Sequence, residues 1–204
     1  MTAQLVVLVS GNGSNLQALI SATAQDPANG GLDATITAVV SNRADAYALQ
    51  RAQAAGIPTE IAPHQGIDRA TYDQELAYTV ASYQPDLVVL AGWDRILTTY
   101  FVAHHTTINL HPAKPGTFRG LGAIEKAFDA WQHDEITEGG VMVHYVPDEG
   151  VDDGPVLVWE PVPFFTGDTL DTYSERVHHT EHTVLIEAVR LALAQLPLTS
   201  RFGR

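Results

Sequence analysis

The chain has 204 residues, of which 45% are hydrophobic, and carries a formal net charge of −13. This acidic composition argues against binding to nucleic acid, whose backbone attracts clustered Lys and Arg side chains. The absence of cysteine excludes disulfides, thiolate nucleophiles and cysteine-ligated metals. No apolar run approaches the roughly 18 residues of a membrane helix, and the run at 5–9 is too short for a signal peptide. We therefore expect a soluble cytoplasmic protein with small-molecule partners.

Strands and helices alternate in the first half of the chain. The predicted strands are 4–10, 34–41, 59–62, 86–91 and 107–110, and the predicted helices are 15–24, 44–55 and 69–83. The stretch 85–97 is predicted to be a strand followed by the start of a further helix. Strands that alternate with helices imply right-handed crossovers and a mainly parallel sheet that is covered on both faces.

The pattern changes after residue 111. A helix is predicted at 121–132, a hairpin of strands at 140–146 and 155–162, a long helix at 169–195 and a frayed tail at 199–204. The fold class is therefore α/β, with a Rossmann-like open, mainly parallel sheet, helices on both faces, and a C-terminal antiparallel hairpin plus long helix in one domain. In such sheets ligands bind beyond the carboxyl ends of the strands. We expect the stretches 11–15, 91–97 and 108–112 to converge there.

A glycine-containing loop at 11–15 joins the first strand to the first helix. Its two glycines allow backbone amides to approach a ligand, and a helix N-terminus favours an anion. The loop is not a Walker motif, and Leu16 stands where the third glycine of the dinucleotide fingerprint belongs. Phosphate binding and a plain tight turn with a Ser or Asn cap both remain open.

Asn109 and His111 lie two residues apart at the end of a predicted strand, so both face the same side of the sheet. Pro112 ends the strand because it has no amide to donate to the ladder. A His at this edge is a candidate general acid or base, and an Asn beside it is a candidate donor to an oxyanion. A hydrogen-bonded structural pair is the alternative.

Two carboxylate features complete the candidate residues. The stretch 148–153 holds four acidic residues, which form either a solvated turn or a source of one carboxylate for His111. Glu181 lies on the apolar stripe of the last helix, so it needs an ion-pair partner or a ligand group. His178 and His182 are one turn apart, but no third metal ligand is evident, and no metal site is predicted.

Six motifs occur in a consistent order: VSGNGSNLQALI, SNR (41–43), DLVVLAGWDRIL (86–97), INLHP (108–112), VHYVPDEGVDDGP (143–155) and RVHHTEH (176–182). With these motifs, the chain resembles the phosphoribosylglycinamide formyltransferases, folate-dependent enzymes of purine synthesis, from about residue 4 to 193. The resemblance implies formyl transfer from 10-formyltetrahydrofolate to the amine of 5-phosphoribosylglycinamide. It also implies that residues up to about 100 bind the phosphoribosyl substrate, whereas 86–97 and 144–153 form the folate and catalytic site.

The resemblance assigns roles residue by residue. The implied catalytic residues are Asn109, His111 and Asp152; the substrate-binding residues are Gly11, Asn12, Gly13, Ser14, Asn15 and Glu181; and the folate-binding residues are Arg69, Arg95, Ile96, Leu97, Val146 and Val151. Asp152 is preferred to Asp153 because the family pattern is Val-Asp-x-Gly-Pro. Asn109 and protonated His111 would stabilise an oxyanion, and Asp152 would keep His111 charged.

Three departures from the family pattern are evident. The stretch 113–116 and Gly122 differ from the usual residues in a loop that we expect to be mobile over the site, and Asp94 replaces a usual apolar residue beside the folate pocket. Alternative functions are a formyltetrahydrofolate deformylase or another amine formyltransferase, a non-catalytic phosphoribosyl-binding module, and a metal hydrolase. Of these, a deformylase would be expected to carry an N-terminal regulatory domain, and a methionyl-tRNA formyltransferase an extra C-terminal domain and a more basic surface. A monomer or a homodimer is expected.

Overall fold

The structure is a computed structural model that describes residues 2–196, so the tail predicted at 199–204 lies outside the described residues. Its strands are β1 (Ala3–Val9), β2 (Ala34–Ser41), β3 (Thr59–Ile61), β4 (Leu87–Leu90), β5 (Thr107–His111), β6 (Glu138–Tyr145) and β7 (Val156–Pro163). Its α-helices are α1 (Ser14–Ala24), α2 (Tyr47–Ala54), α3 (Arg69–Ser82), α4 (Thr99–His104), α5 (Ala123–Gln132) and α6 (Leu170–Gln195). None of the helices within 2–196 combines the length and apolarity needed to cross a membrane.

The described strands form one seven-stranded sheet in the order β3-β2-β1-β4-β5-β6-β7. The pairs from β3 to β5 are parallel, and β6 and β7 add to β5 as antiparallel strands. The connections change direction between β1 and β4, which creates a crevice at the carboxyl ends of these two strands. The predicted fold class is confirmed.

The alternating side chains of the central strands fill two cores, one on each face of the sheet. Leu5, Val7 and Val9 of β1 pack in the larger core, which includes buried residues of α1 and α6. Val6 and Leu8 face the other core, which includes buried residues of α3 and α4. Burial on both faces explains why β1 is a continuous apolar run rather than an alternating one.

Several helices begin later than the sequence predicts. The helix predicted at 44–55 begins at Tyr47, because a turn precedes it in which Ala46 N–H donates to the Arg43 carbonyl at 3.3 Å. The helix predicted at 121–132 begins at Ala123, after Gly122 with φ +72°. The helix start predicted before residue 97 is wrong. After β4 the chain remains irregular until α4 begins at Thr99, and the Asp73 carboxylate accepts a hydrogen bond from N–H of the preceding Thr98 at 2.5 Å.

Candidate active site

Asn109 and His111 lie at the carboxyl end of β5, between β4 and the antiparallel strand β6. His111 is buried, with 4% of its surface exposed, and Asn109 is half-buried. Nε2 of His111 lies 3.1 Å from the Phe118 carbonyl oxygen. A carbonyl oxygen only accepts hydrogen bonds, so Nε2 carries a proton in this arrangement and Nδ1 is the nitrogen left to gain one.

Asp152 contacts both of these residues from the turn between β6 and β7. Its Oδ1 accepts a hydrogen bond from Asn109 Nδ2 at 2.9 Å, and its Oδ2 lies 3.3 Å from His111 Nδ1. Oδ2 also accepts from Gly120 N–H at 2.8 Å. Asp153 instead pairs with the exposed Arg119 at 3.1 Å. The structure therefore brings the three residues with implied catalytic roles together, and Asp152 rather than Asp153 is the acid that contacts His111.

A second buried imidazole, His144, belongs to the same cluster and was missed by the sequence analysis. It lies directly opposite Asn109 in the β5–β6 register. Its Nε2 lies 3.2 Å from Asn109 Nδ2 and 3.5 Å from Asp152 Oδ1, and its Nδ1 lies 2.8 Å from the Tyr145 carbonyl oxygen. The only sequence signal was a His within the predicted strand 140–146, and that signal contained no information on strand register.

The electrostatics of the cluster differ from the expectation that Asp152 keeps His111 charged. Burial lowers the pKa of His111 below its usual value, and this outweighs the opposing effects of Asp152 and the Phe118 carbonyl. Burial opposes ionisation of Asp152 as well, but His144, Gly120 N–H and His111 together hold the pKa of this carboxyl below its usual value. The resting site at neutral pH therefore pairs a neutral His111 with an ionised Asp152.

These residues line a cavity of about 440 Å³ at the carboxyl edge of the sheet. Of the residues with implied folate-binding roles, Arg95, Ile96, Leu97, Val146 and Val151 line this cavity. Arg69 lies beside it: its Nε donates to the Ile96 carbonyl at 3.3 Å and its Nη2 to the Leu97 carbonyl at 3.2 Å. Arg69 also pairs with Glu149 at 3.0 Å. The two predicted stretches, 86–97 and 144–153, thus meet around one cavity.

The glycine loop lies outside the lining of this cavity and leads into α1. Gly13 has φ +78°, and a Cβ atom at this position would lie 2.6 Å from Cβ of Ala48 in α2. No side chain caps the N-terminus of α1, so its first amides are oriented to bind an anion. Arg51 supports the loop through hydrogen bonds of 3.0 Å to the carbonyl and to the side-chain oxygen of Asn12.

Glu181 joins the glycine loop to α6. It is buried, and its Oε2 accepts a hydrogen bond from Asn15 Nδ2 at 3.0 Å and lies 3.0 Å from Nδ1 of the exposed His178. Hydrogen bonding to Glu181 raises the pKa of His178, and burial only partly opposes this effect. Two of the residues with implied substrate-binding roles, Asn15 and Glu181, are therefore in direct contact.

Some of the residues that depart from the family pattern line the main cavity, and others lie beside a second cavity. Ala113 is buried, and Nζ of Lys114 pairs with Glu138 at 2.7 Å, next to a separate cavity of about 290 Å³. Gly122, by contrast, lines the main cavity, as does Asp94. Among residues 2–196 there is no group of three or more His, Cys, Asp or Glu side chains that is arranged to hold a metal ion.

Comparison with known proteins identifies the family of this chain. Residues 3–189 match the Formyl transferase family. The phosphoribosylglycinamide formyltransferase of Schizosaccharomyces pombe is 44% identical over 202 residues, which cover 93% of this chain and 96% of the relative. The Escherichia coli enzyme of the same name is 43% identical over 183 residues, which cover 88% of this chain and 82% of the relative. The solved phosphoribosylglycinamide formyltransferase of Coxiella burnetii superposes with a TM-score of 0.82 at 41% identity, covering 93% of this chain and 86% of that one.

The chain therefore belongs to the formyl transferase family. Within that family it belongs with the phosphoribosylglycinamide formyltransferases, one-carbon transferases of purine biosynthesis, and the family predicted from the six sequence motifs is confirmed.

Proposed function

We propose that this chain transfers the formyl group of 10-formyltetrahydrofolate to the amine of 5-phosphoribosylglycinamide. The observation that carries the proposal is the contact of Asp152 with both Asn109 and His111, at the edge of a cavity lined by residues of the stretches 92–97 and 146–152. The phosphoribosyl substrate would bind at the glycine loop and Glu181, and the folate would bind in the cavity. Residues up to about 100 thus supply most of the substrate site, and later residues complete the folate and catalytic site.

The donor supplies a formyl carbonyl, at which attack by the acceptor amine generates an oxyanion before the bond to the folate nitrogen breaks. His111 is neutral at rest, so its Nδ1 can take the proton that the attacking amine must lose. The Asp152 carboxylate, 3.3 Å away, then stabilises the imidazolium. The same proton is finally delivered to the departing nitrogen, directly or through water.

Asn109 requires a change of partner to act on the oxyanion. In the resting site its amide donates to Asp152 Oδ1 and lies 3.2 Å from His144 Nε2. We infer that one N–H leaves these partners as negative charge develops on the formyl oxygen. A donor in such a buried site contributes about 100-fold to 1,000-fold in rate.

The test is a spectrophotometric assay of tetrahydrofolate release, with and without 5-phosphoribosylglycinamide. We expect release only when the acceptor is present, and we expect His111→Ala to reduce it by at least about 100-fold. His133→Ala is the matched control, because His133 is exposed at the end of α5 and distant from the cavity. Release without acceptor would favour a deformylase, and full activity of His111→Ala would overturn the mechanism.

A further inference from the structure

The carboxylate of Asp94 connects the ends of three neighbouring strands at the crevice. Ser10 follows β1, Asn42 follows β2, and Asp94 lies in the irregular segment after β4. Ser10 Oγ donates to Asp94 Oδ1 at 3.0 Å and accepts from Asp94 N–H at 3.1 Å. Asn42 Nδ2 donates to the same Oδ1 at 2.7 Å. Asp94 therefore links the ends of β1 and β2 to the segment after β4, at the point where the connections of the sheet change direction.

The hydrogen bonds from the buried residues Ser10 and Asn42 stabilise this cluster more than the ion pair with the exposed Arg43 does. Arg43 Nη2 lies 2.6 Å from Asp94 Oδ2, but the Arg43 side chain is 57% exposed, and exposed pairs contribute little. Ser10 and Asn42 are buried, so the loss of their acceptor leaves unsatisfied donors. Burial opposes ionisation of Asp94, but hydrogen bonds from Asn42 and Ser10 and the charge of Arg43 hold the pKa of this carboxyl below its usual value.

Asp94 lies between the two parts of the proposed site, the main cavity and the glycine loop. It lines the main cavity, and its partner Ser10 immediately precedes the glycine loop. A backbone hydrogen bond from Ser10 N–H to the Gly92 carbonyl, at 2.9 Å, reinforces the same connection. The glycine loop itself does not line the cavity. Asp94 lines the cavity and contacts the residue that precedes the loop, so it is placed to fix the position of the loop relative to the cavity.

We propose that Asp94 is a positioning residue, which holds the glycine loop in the conformation that binds the phosphoribosyl substrate and so sets the affinity of the loop for that substrate. This inference rests on the proposed function. Backbone amides bind a phosphate only when they point at a common centre, so a loop that is free to shift loses affinity for the phosphoribosyl substrate. The hydrogen bonds that join Arg69 of α3 to the Ile96 and Leu97 carbonyls involve neither Ser10 nor Asp94.

The first test is steady-state kinetics of Asp94→Ala, with both substrates varied. The KM for 5-phosphoribosylglycinamide is expected to rise about tenfold, as for the loss of a charge-assisted hydrogen bond, whereas the folate KM and kcat change less than about threefold. Asp94→Asn retains one side-chain oxygen as an acceptor for Ser10 and Asn42, and it should restore part of the loss. Asp153→Ala is the matched control, since it also removes an Asp–Arg pair but at an exposed site outside the cavity lining. Equal rises in both KM values, or no change in either, would overturn the inference.

A double-mutant cycle tests whether Ser10 and Asp94 act through the hydrogen bonds that they share. Because Ser10 and Asp94 share their hydrogen bonds, Ser10→Ala should add less than about twofold to the KM of Asp94→Ala. Fully multiplicative effects on KM would show that the two side chains act independently and would contradict the inference.

A second measurement does not require turnover. In the substrate-free protein, amide hydrogen exchange at Ser10, whose N–H donates to the Gly92 carbonyl, should be at least about tenfold faster in Asp94→Ala than in the wild type, and unchanged in Asp153→Ala. If the wild type fails to release folate, the proposed function fails, while this exchange experiment still decides the role of Asp94. Unchanged exchange at Ser10 would overturn it.

Discussion

The carboxylate of Asp152 lies against the imidazole of His111, with Oδ2 3.3 Å from Nδ1, although the two residues come from different segments of the sheet edge. Asp152 adopts φ +49°, in the left-handed region that few non-glycine residues occupy. Hydrogen bonds from Asn109 and Gly120 hold it there. Such an outlier at a cluster of polar side chains is consistent with a site in which local strain is retained for function.

The first prediction concerns the two neighbouring aspartates. Asp152→Asn is expected to reduce kcat/KM for formyl transfer by about 100-fold or more, because the proton on His111 loses its stabilising charge. Asp153→Asn should change kcat/KM by less than about twofold, since Asp153 pairs with the exposed Arg119 and does not line the cavity. Thermal unfolding of both variants serves as the control for folding. Equal losses of activity would mean that the acidic turn contributes through its overall charge.

The second prediction concerns the charge state of His111. A ¹H–¹⁵N titration of its ring should give a pKa below the ordinary 6.5, because burial outweighs the attraction of Asp152. Asp152→Asn should lower that pKa further, since the substitution removes a negative charge that favours the protonated ring. His133 provides an internal control, because hydrogen bonding to the Asp129 carbonyl raises its pKa in both proteins. A His111 pKa above 6.5 in the wild type would contradict the neutral resting state.

Strand periodicity was sufficient to predict that Asn109 and His111 face one side of a strand end, because alternation along a strand is a local property. The contacts that complete the cluster are not local. The pairing of Asn109 with His144 depends on the register of an antiparallel strand that returns 35 residues later. The Gly120 N–H depends on the path of an irregular loop, for which the sequence offers no periodic signal.

The same distinction explains the helix boundaries. The sequence predicts a helix over 44–55, but in the structure a turn precedes Tyr47 and Ala48 N–H donates to the Gly11 carbonyl at 3.1 Å. A tertiary hydrogen bond thus overrides local preference. Asp94 is a comparable case: sequence analysis identified it as a departure from the family pattern, but only the structure shows its hydrogen bonds to the ends of β1 and β2.

The third prediction concerns Gly13, the glycine that immediately precedes α1. Gly13→Ala should lower the free energy of unfolding by about 2 kcal/mol or more, because Gly13 has positive φ and its new Cβ would meet Ala48 at 2.6 Å. Gly11→Ala is the matched control for stability, since a Cβ at Gly11 has no neighbour within 4 Å. Chemical denaturation measures both. A loss of stability in Gly11→Ala equal to that in Gly13→Ala would show that the close approach of α1 and α2 is not the cause.

The last prediction concerns an ion pair far from the cavity. Asp168 accepts hydrogen bonds from Nη1 and Nη2 of Arg176 at 2.9 and 2.8 Å, and from Phe165 N–H at 2.8 Å. Hydrogen bonding to Arg176 is the main cause that lowers the pKa of Asp168 to about 2, from 3.8. A carboxyl with a lowered folded-state pKa stabilises the fold above its unfolded pKa and loses that contribution as the pH falls through its folded pKa.

Asp168→Asn should therefore be less stable than the wild type by about 2 kcal/mol at neutral pH. The difference should persist down to about pH 4 and shrink between pH 4 and pH 2, as Asp168 of the wild type becomes protonated. Thermal unfolding at a series of pH values measures it, with Asp171→Asn, an exposed acid in the first turn of the same helix, as the control. A stability difference that does not change over this pH range would show that the pair with Arg176 is not responsible.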